Sequence, residues 1–293
     1  KVTRVTVNDE GAKQIQKKAG TYTTLSIPTL HVDDKEGLQQ MEKILTKHLK
    51  SLHESVQITK EDKILIVGLG NKTITPDAVG PFTIDAMQQH FEEEHNEQFV
   101  MYAPGVTGQS GLETKEFVEA LVNKINPALV IVIDALATRS SERLCRTIQL
   151  TDTGIHPGSG VGNTRTEVSK ETLGVPVTAI GIPTVVEATV LLADAIDTVF
   201  RTIAAKIQEK NSPSSKLSVT PWQPSPTAKI DYELIKPIFG EWSTWTKADR
   251  IQLLEETFPQ RERLIVTPKE CDIWSMHYAT LVSNSLFKWI KGL

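Results

Sequence analysis

The sequence predicts an α/β fold in which a mostly parallel, mixed sheet carries helices on both faces. Two short apolar runs, Ile64 to Val67 and Leu129 to Ile133, are rich in β-branched residues and are typical of buried parallel strands. Between such runs, apolar residues recur at helical spacing. Strands and helices alternate through most of the first 210 residues, and this order favours parallel strands covered by helices on both sides.

The individual elements follow from local patterns. Alternation or apolar runs predict strands over residues 2–7, 22–27, 64–67, 99–103, 128–135, 145–150 and 175–182, and helical spacing predicts helices over 36–53, 113–125 and 184–208. A further helix is expected to begin at Pro76, with Thr75 as its cap, and Thr184 is expected to cap the long helix. Helix starts are also predicted at Thr246 and at Thr267, where Glu270 completes a capping-box pattern.

The domain organisation is predicted as a single α/β domain over residues 1–293. Its parts are the N-terminal strands and helix (1–60), a core sheet that holds the candidate site (61–210), an irregular insertion rich in proline and serine (211–250), and C-terminal helices (251–293). All five tryptophans lie at or beyond Trp222. We therefore expect a Trp-rich C-terminal extension that packs on the sheet or on a second subunit.

Composition and charge exclude several classes of function. A net charge of −4 without a dense basic cluster gives no electrostatic case for direct nucleic-acid binding. No apolar run approaches the roughly 20 residues that span a membrane, and no signal-peptide pattern opens the chain. Cys145 and Cys271 lack metal-ligand spacing and are expected to be reduced packing residues. These features predict a cytoplasmic protein, and a chain that begins at Lys1 is expected to be a trimmed form.

Two carboxylates carry the predicted chemistry. Asp77 lies at a predicted helix start beyond one strand, and Asp134 ends the most apolar strand. If the two strands are neighbours, about 4.8 Å apart, both carboxylates can share a water or a proton. The helix start favours the charged form of Asp77, which makes it the base and Asp134 the acid of a peptide hydrolase. Each could instead be a structural cap or loop residue.

The glycines and histidines do not predict a cofactor. Gly68 and Gly70 open a dinucleotide-like pattern, but Thr73 stands where a third glycine is expected. The glycine-rich loop 151–163 lacks the lysine of a phosphate loop, and remains either a substrate clamp or a structural connection. His156 within it is a candidate active-site residue, or else a loop histidine bonded to backbone. We predict no cofactor and no metal.

Several of these stretches resemble the germination protease (spore endopeptidase) family. They are Val67–Asn71 with Thr75–Ala78, Ala103–Val106, Ile133–Ala137, Asp152–Asn163 and Val266–Glu270. The resemblance implies a fold related to the hydrogenase maturation proteases. It also implies a homotetrameric endopeptidase of the spore core, made as a zymogen, that degrades small acid-soluble spore proteins during germination by cleaving after glutamate. By this resemblance, Asp77 and Asp134 match the aspartic-type pair proposed for the family.

An acidic substrate side chain requires a cationic partner, for which Arg139, Arg143 and Arg165 are tentative candidates. Two alternatives stay open. One is a metal-assisted peptidase that uses Asp77, Asp134 and perhaps His156. The other is a catalytically inactive, peptide-binding relative.

Overall fold

The computed structural model describes residues 1–54, 56–92, 98–105, 114–158, 166–208, 231–257 and 264–292. The chain folds as two compact units. The first contains residues 1–138, 142–185 and 267–293, and the second contains residues 139–141 and 186–266. This division does not follow the predicted segments, because the C-terminal residues return to the unit that begins the chain. The single-domain assignment stays a prediction.

The strands are β1 (Val2–Val7), β2 (Gly20–Ser26), β3 (Ile64–Gly68), β4 (Phe99–Tyr102), β5 (Leu129–Thr138), β6 (Thr147–Thr151), β7 (Val177–Glu187) and β8 (Ile265–Val266). The helices are α1 (Asp9–Ile15), α2 (Lys35–His53), α3 (Val79–Glu92), α4 (Thr114–Ile125), α5 (Lys170–Leu173), α6 (Ala188–Gln208), α7 (Lys236–Phe239), α8 (Lys247–Thr257) and α9 (Cys271–Lys291).

A mixed sheet organises the first unit, in the spatial order β1-β2-β6-β7-β5-β3-β4. The central strand β3 is parallel to both β4 and β5, whereas β2 pairs antiparallel with β1 and β6, and β6 pairs antiparallel with β7. The Val130 N–H donates to the Pro176 carbonyl at 2.9 Å, and further along both strands Leu136 lies against Gly181. β5 and β7 therefore run in the same direction. The predicted α/β class with a mixed sheet is confirmed.

Helices cover both faces of this sheet, as predicted. Ile64, Ile66 and Ile131 pack on one face in a cluster that includes residues of α2, α3 and α9. Leu65 and Val67 point to the other face, towards α4. Because successive side chains of a strand alternate between faces, each central strand has to be apolar throughout. Burying one such side chain fully contributes about 1.5–3 kcal/mol.

The predicted Trp-rich C-terminal extension is not confirmed. Trp274 and Trp289 on α9 belong to the core of the first unit, because α9 packs against α2 and α3. Trp242 packs in the second unit, edge-on against Phe200 at 5.2 Å between ring centroids. Trp222 lies outside the described residues. Trp245 is exposed, with 42% of its surface accessible. The described tryptophans therefore do not form one shared surface.

Three predicted boundaries are wrong, two of them because partner strands extend the elements beyond their local patterns. β5 continues to Thr138, through part of the predicted polar connection. β7 continues through Thr184 to Glu187, so α6 begins at Ala188 and Thr184 caps no helix. The capping box predicted from Thr267 is also absent, because the first cap position of α9 is Glu270 and makes no side-chain cap bond.

The second unit is a small helical assembly on α6. Phe200, Ala204 and Ile235 form its core. Arg250 of α8 is buried in this unit, where its guanidinium donates to Asp197 Oδ1 at 2.9 Å and to the Ser243 carbonyl at 3.0 Å. The end of β7 pairs antiparallel with β8. Among the described residues of both units, no helix has the length and apolar character needed to cross a membrane.

Candidate active site

The candidate site is built where the central strand β3 ends. The Leu69 N–H donates to the Ile133 carbonyl at 2.8 Å, which extends the β3–β5 ladder by one residue. Gly70 then turns the chain with φ +117°, and a Cβ at this position would lie 1.9 Å from the Asp77 carbonyl oxygen. Since no side chain fits there and L-residues rarely adopt this φ, the turn requires glycine.

The turn closes on itself before the next helix begins. The Asn71 N–H donates to the Asp77 carbonyl at 3.0 Å, and the Asn71 Oδ1 accepts from the Thr73 N–H at 2.9 Å. Thr75 to Asp77 forms a single 3-10 turn, and α3 begins only at Val79. The predictions that Thr75 caps a helix beginning at Pro76, and that Asp77 lies within its first turn, are therefore wrong. Asp77 instead immediately precedes the N-terminus of α3, where the helix dipole still favours a negative charge.

Two further glycines let α3 start directly on the strand ends. A Cβ at Gly68 would lie 2.3 Å from the Gly80 carbonyl oxygen, and one at Gly80 would lie 2.2 Å from the Leu69 carbonyl oxygen. Gly68, the first glycine of the dinucleotide-like pattern, therefore serves close packing of helix on strand. Together, Gly68 and Gly80 bring α3, and with it the preceding turn that contains Asp77, to the end of β3.

Asp134 is buried, with 6% of its surface exposed, and lies in β5 beside the end of β3. Ile133 pairs with Gly68, the last residue of β3, and Asp134 follows it. The prediction that Asp134 ends its own strand is wrong, since β5 continues for four more residues. It is the neighbouring strand that stops there.

The structure thus brings Asp77 and Asp134 to the same edge of the sheet, from opposite faces. Alternation along β5 places Asp134 on the face of Val130 and Val132, towards α4, whereas α3 packs on the other face. Gly70, in the turn that leaves β3, lies next to Asp77 and has no side chain. Asp77 Oδ1 lies 3.1 Å from the position that a Gly70 Cβ would occupy.

His156 is not brought to this edge. β6 runs antiparallel to β7, and its last residue, Thr151, pairs with Ala179 near the beginning of β7. The chain beyond β6 therefore leads away from the edge at which β3 ends. His156 is exposed there, with Nε2 3.5 Å from Glu167 Oε1, and Glu167 also pairs with Lys18 at 2.7 Å. Strand direction, which the sequence pattern left undefined, separates His156 from Asp77 and Asp134.

The three candidate arginines have different surroundings. Arg139 is exposed in the second unit, and its carbonyl accepts from Lys247 Nζ at 2.9 Å. Arg143 belongs to the first unit and is half-buried. Its carbonyl accepts from the Arg146 N–H at 3.1 Å. Arg165 lies outside the described residues. Their roles in substrate binding stay predictions.

The metal-assisted alternative gains no support from side-chain placement. Among the residues that the structure describes, Asp77, Asp134 and His156 included, no three His, Cys, Asp or Glu side chains could together hold a metal ion.

The two cysteines, distant in sequence, approach each other, and both are buried free thiols. A hydrogen bond with Cys145 lowers the pKa of Cys271 to about 6, and the pKa of Cys145 is raised by the same contact and by burial.

Sequence reasoning missed two hydroxyls that contact the Asp77 turn. Thr184 Oγ1 donates to the Pro76 carbonyl at 2.6 Å, and Ser275 Oγ donates to the Thr75 carbonyl at 3.0 Å. They come from β7 and α9, 108 and 200 residues further along the chain. No local pattern could reveal such contacts.

Comparison with known proteins assigns the family. The germination protease family matches residues 1–291 of the chain. The chain belongs to the germination protease family. The germination protease of Geobacillus sp. (strain WCH70) is 38% identical, over 98% of this chain and 81% of its own length. The germination protease of Bacillus cereus (strain G9842) is 38% identical over 97% of this chain and 82% of its own length. That of Halalkalibacterium halodurans is 37% identical over 98% of this chain and 81% of its own length.

The chain is accordingly a peptidase that acts on protein substrates. A solved [NiFe] hydrogenase maturation protease, HycI from Thermococcus kodakarensis KOD1, superposes on 47% of this chain and 80% of its own. It is 17% identical, with a TM-score of 0.33, a likeness that supports no conclusion about this germination protease.

Proposed function

We propose that this germination protease is an endopeptidase that hydrolyses small acid-soluble spore proteins, with Asp77 and Asp134 as a catalytic pair of carboxylates. One observation supports the pair above all: Asp134 follows the residue opposite the end of β3, and Asp77 lies against Gly70 in the turn that leaves β3. Two carboxylates around one strand end can hold a water between them.

The roles within the pair follow from the surroundings of each carboxylate. In the proposed pair the two carboxylates share one water and one proton, because two like charges at one water do not both ionise freely. The N-terminus of α3 favours the charged form of Asp77, whereas burial of Asp134 disfavours the charged form. Asp77 therefore takes the proton of a water whose oxygen attacks the peptide carbonyl carbon. Asp134 gives its proton to the amide nitrogen as the C–N bond breaks, which leaves a carboxylic acid and an amine.

The remaining parts of the proposal rest on the family resemblance. They are cleavage after glutamate, synthesis as a zymogen, assembly into a homotetramer and action in the spore core. A glutamate side chain requires a cationic partner, and Arg143 belongs to the same unit as the pair, whereas Arg139 belongs to the other unit. Light scattering of the purified protein should give the mass of four chains.

Substitution of each carboxylate tests the proposal. Asp77→Asn and Asp134→Asn keep size and remove acid–base chemistry, so each should lower kcat for a small acid-soluble spore protein by about 10²–10⁴-fold. Mass spectrometry of the fragments should place the new C-termini at glutamate. Thermal unfolding should remain cooperative in both variants.

Asp85→Asn is the matched control, because Asp85 lies on α3 and pairs with Lys72 at 2.6 Å on the surface. This variant should retain the parent kcat within about twofold, since an exposed ion pair is worth 0–1 kcal/mol. Full activity of either Asp77→Asn or Asp134→Asn would contradict the proposed catalytic pair. Full loss of activity after chelation, restored by added metal, would replace it with the metal-assisted mechanism.

A further inference from the structure

The 3-10 turn that carries Asp77 cannot satisfy its own carbonyl groups. Three residues form only one weak internal bond, from the Ala78 N–H to the Thr75 carbonyl at 3.3 Å. The first α-helical bond of α3, from the Phe82 N–H, reaches the Ala78 carbonyl. The carbonyls of residues 75–77 therefore lie outside the helix. That of Thr75 has only the weak local bond from Ala78, and those of Pro76 and Asp77 need donors from outside the turn.

Each of the three carbonyls has such a donor. Ser275 Oγ donates to Thr75 and Thr184 Oγ1 donates to Pro76, while the Asn71 N–H donates to Asp77. A third hydroxyl, Thr267 Oγ1, donates to the Thr184 carbonyl at 2.9 Å. Hydroxyl groups from β7 and α9 thus hold the turn through its carbonyls, and Thr267 in turn bonds to the Thr184 carbonyl.

Both principal hydroxyls are buried: Thr184 is 1% exposed and Ser275 is 0% exposed. A buried hydroxyl that lost its acceptor would pay a desolvation penalty, so each bond restricts where the turn can lie. Thr184 also belongs to β7, the strand beside β5 on which Asp134 lies. β7 therefore contacts both the turn that contains Asp77 and the strand that contains Asp134.

We propose that Thr184 and Ser275 are positioning residues that fix the Asp77 carboxylate relative to Asp134. This inference rests on the proposed catalytic pair. A hydroxyl bond of 2.6 Å and one of 3.0 Å hold consecutive carbonyls of a turn whose last residue is the base. Loss of either bond loosens the pair without removing any reacting group.

The test compares Thr184→Val and Ser275→Ala with matched controls on the same elements. Thr178→Val removes a buried hydroxyl of β7 that contacts His53 Nε2 at 2.9 Å. Ser285→Ala removes a buried hydroxyl of α9 that donates to the Leu281 carbonyl at 2.7 Å. Each of the four substitutions removes one buried hydroxyl. Ser275 also forms a hydrogen bond with the Cys271 thiol, and its control Ser285 likewise has a second partner, the Glu42 carbonyl at 3.2 Å. The two controls leave the turn untouched.

Displacement of a catalytic group by about 1 Å costs up to about 100-fold in rate, so the two test variants should lower kcat by roughly 10- to 100-fold. KM should stay within about twofold, because the substrate contacts are unchanged. The bell-shaped dependence of kcat/KM on pH should also narrow, since carboxylates held further apart interact less and their two apparent pKa values converge. Thr184→Ser, which keeps the hydroxyl, should restore both readouts.

The two controls should keep kcat within about threefold and leave the pH profile unchanged, although they lose similar stability. Equal kcat losses in test and control variants, or an unchanged pH profile in Thr184→Val, would overturn the inference. Asp77→Asn distinguishes failure of the positioning role from failure of the catalytic pair. If Asp77→Asn is inactive while Thr184→Val is fully active, the positioning role is wrong and the catalytic pair stands. If Asp77→Asn is active, the pair itself fails.

Discussion

Replacement of Gly70 by alanine should disable hydrolysis in a protein that still folds. The new Cβ would lie 1.9 Å from the Asp77 carbonyl oxygen and 3.1 Å from its Oδ1. A carbon–oxygen contact tolerates about 3.3 Å, so the Asp77 backbone has to move by on the order of 1 Å. A misplacement of that size lowers the rate of a positioned catalytic group by about 100-fold.

The backbone conformation adds a separate cost in stability. Gly70 has φ +117°, and an alanine forced into such a region destabilises the fold by about 1–3 kcal/mol. Gly174→Ala provides the matched control, because Gly174 also has a positive φ, +75°, but a Cβ there meets no atom within 4 Å. Both variants should lose stability, and only Gly70→Ala should lose kcat.

The assay is turnover of a purified small acid-soluble spore protein, followed by mass spectrometry, beside urea unfolding of the same preparations. We expect Gly70→Ala to retain a cooperative unfolding transition with kcat lowered about 100-fold. A stably folded Gly70→Ala enzyme with kcat within threefold of the parent would refute the argument that this turn sets the position of Asp77. A comparable kcat loss in Gly174→Ala would attribute the effect to general destabilisation instead.

Two further predictions concern the core. Burial lowers the pKa of His53 to about 4, so below pH 6.5 the unfolded chain takes up the proton first. The free energy of unfolding should then fall by up to roughly 3 kcal/mol between about pH 6.5 and about pH 4. Urea unfolding across this range should show a smaller loss in His53→Gln and the full loss in the exposed control His31→Gln. Identical pH dependence in the two variants would contradict this prediction. Tyr278→Phe should lower the free energy of unfolding by about 1–3 kcal/mol, because the fully buried hydroxyl donates to the Cys145 carbonyl at 2.9 Å. Tyr22→Phe, which loses a bond of the same length in a half-buried position, should cost less in the same melts, and equal losses would count against the burial argument.

The central strands could be predicted because burial on two faces leaves a continuous apolar pattern. Ile64 to Val67 and Leu129 to Ile133 form the adjacent parallel strands that the pattern indicates. The edge at which Asp77 and Asp134 meet follows from that pairing, since parallel strands align their carboxyl ends. This part of the candidate site needs only local sequence and one rule of topology.

The helix start predicted at Thr246 is confirmed, since α8 begins at Lys247. Two other starts could not be predicted in the same way, because a hydroxyl can bond to several partners. Thr75 and Thr184 both stand in patterns typical of helix caps. In the structure Thr184 donates instead to the Pro76 carbonyl, and β7 extends past it to pair with β8. Long-range partners, absent from any local window, decide which acceptor a threonine finds.

His156 illustrates the same limit for a whole loop. Its neighbourhood of glycines is compatible with a substrate clamp, and nothing in it specifies whether the preceding strand is parallel or antiparallel. The antiparallel pairing of β6 with β7 carries the loop away from the end of β3. Strand direction depends on which strands become neighbours, and that is a property of the complete sheet.

The sequence by itself determined the α/β class, the central apolar strands and the two carboxylates, because each follows from periodicity or from residue type at a strand end. Tertiary structure alone decided that Asp77 precedes its helix in a separate turn, that Asp134 lies beside the end of another strand, and that Thr184 and Ser275 hold the turn. The physical reason is that burial patterns are encoded residue by residue. Hydrogen-bond partners 108 and 200 residues away are chosen only when the chain has packed.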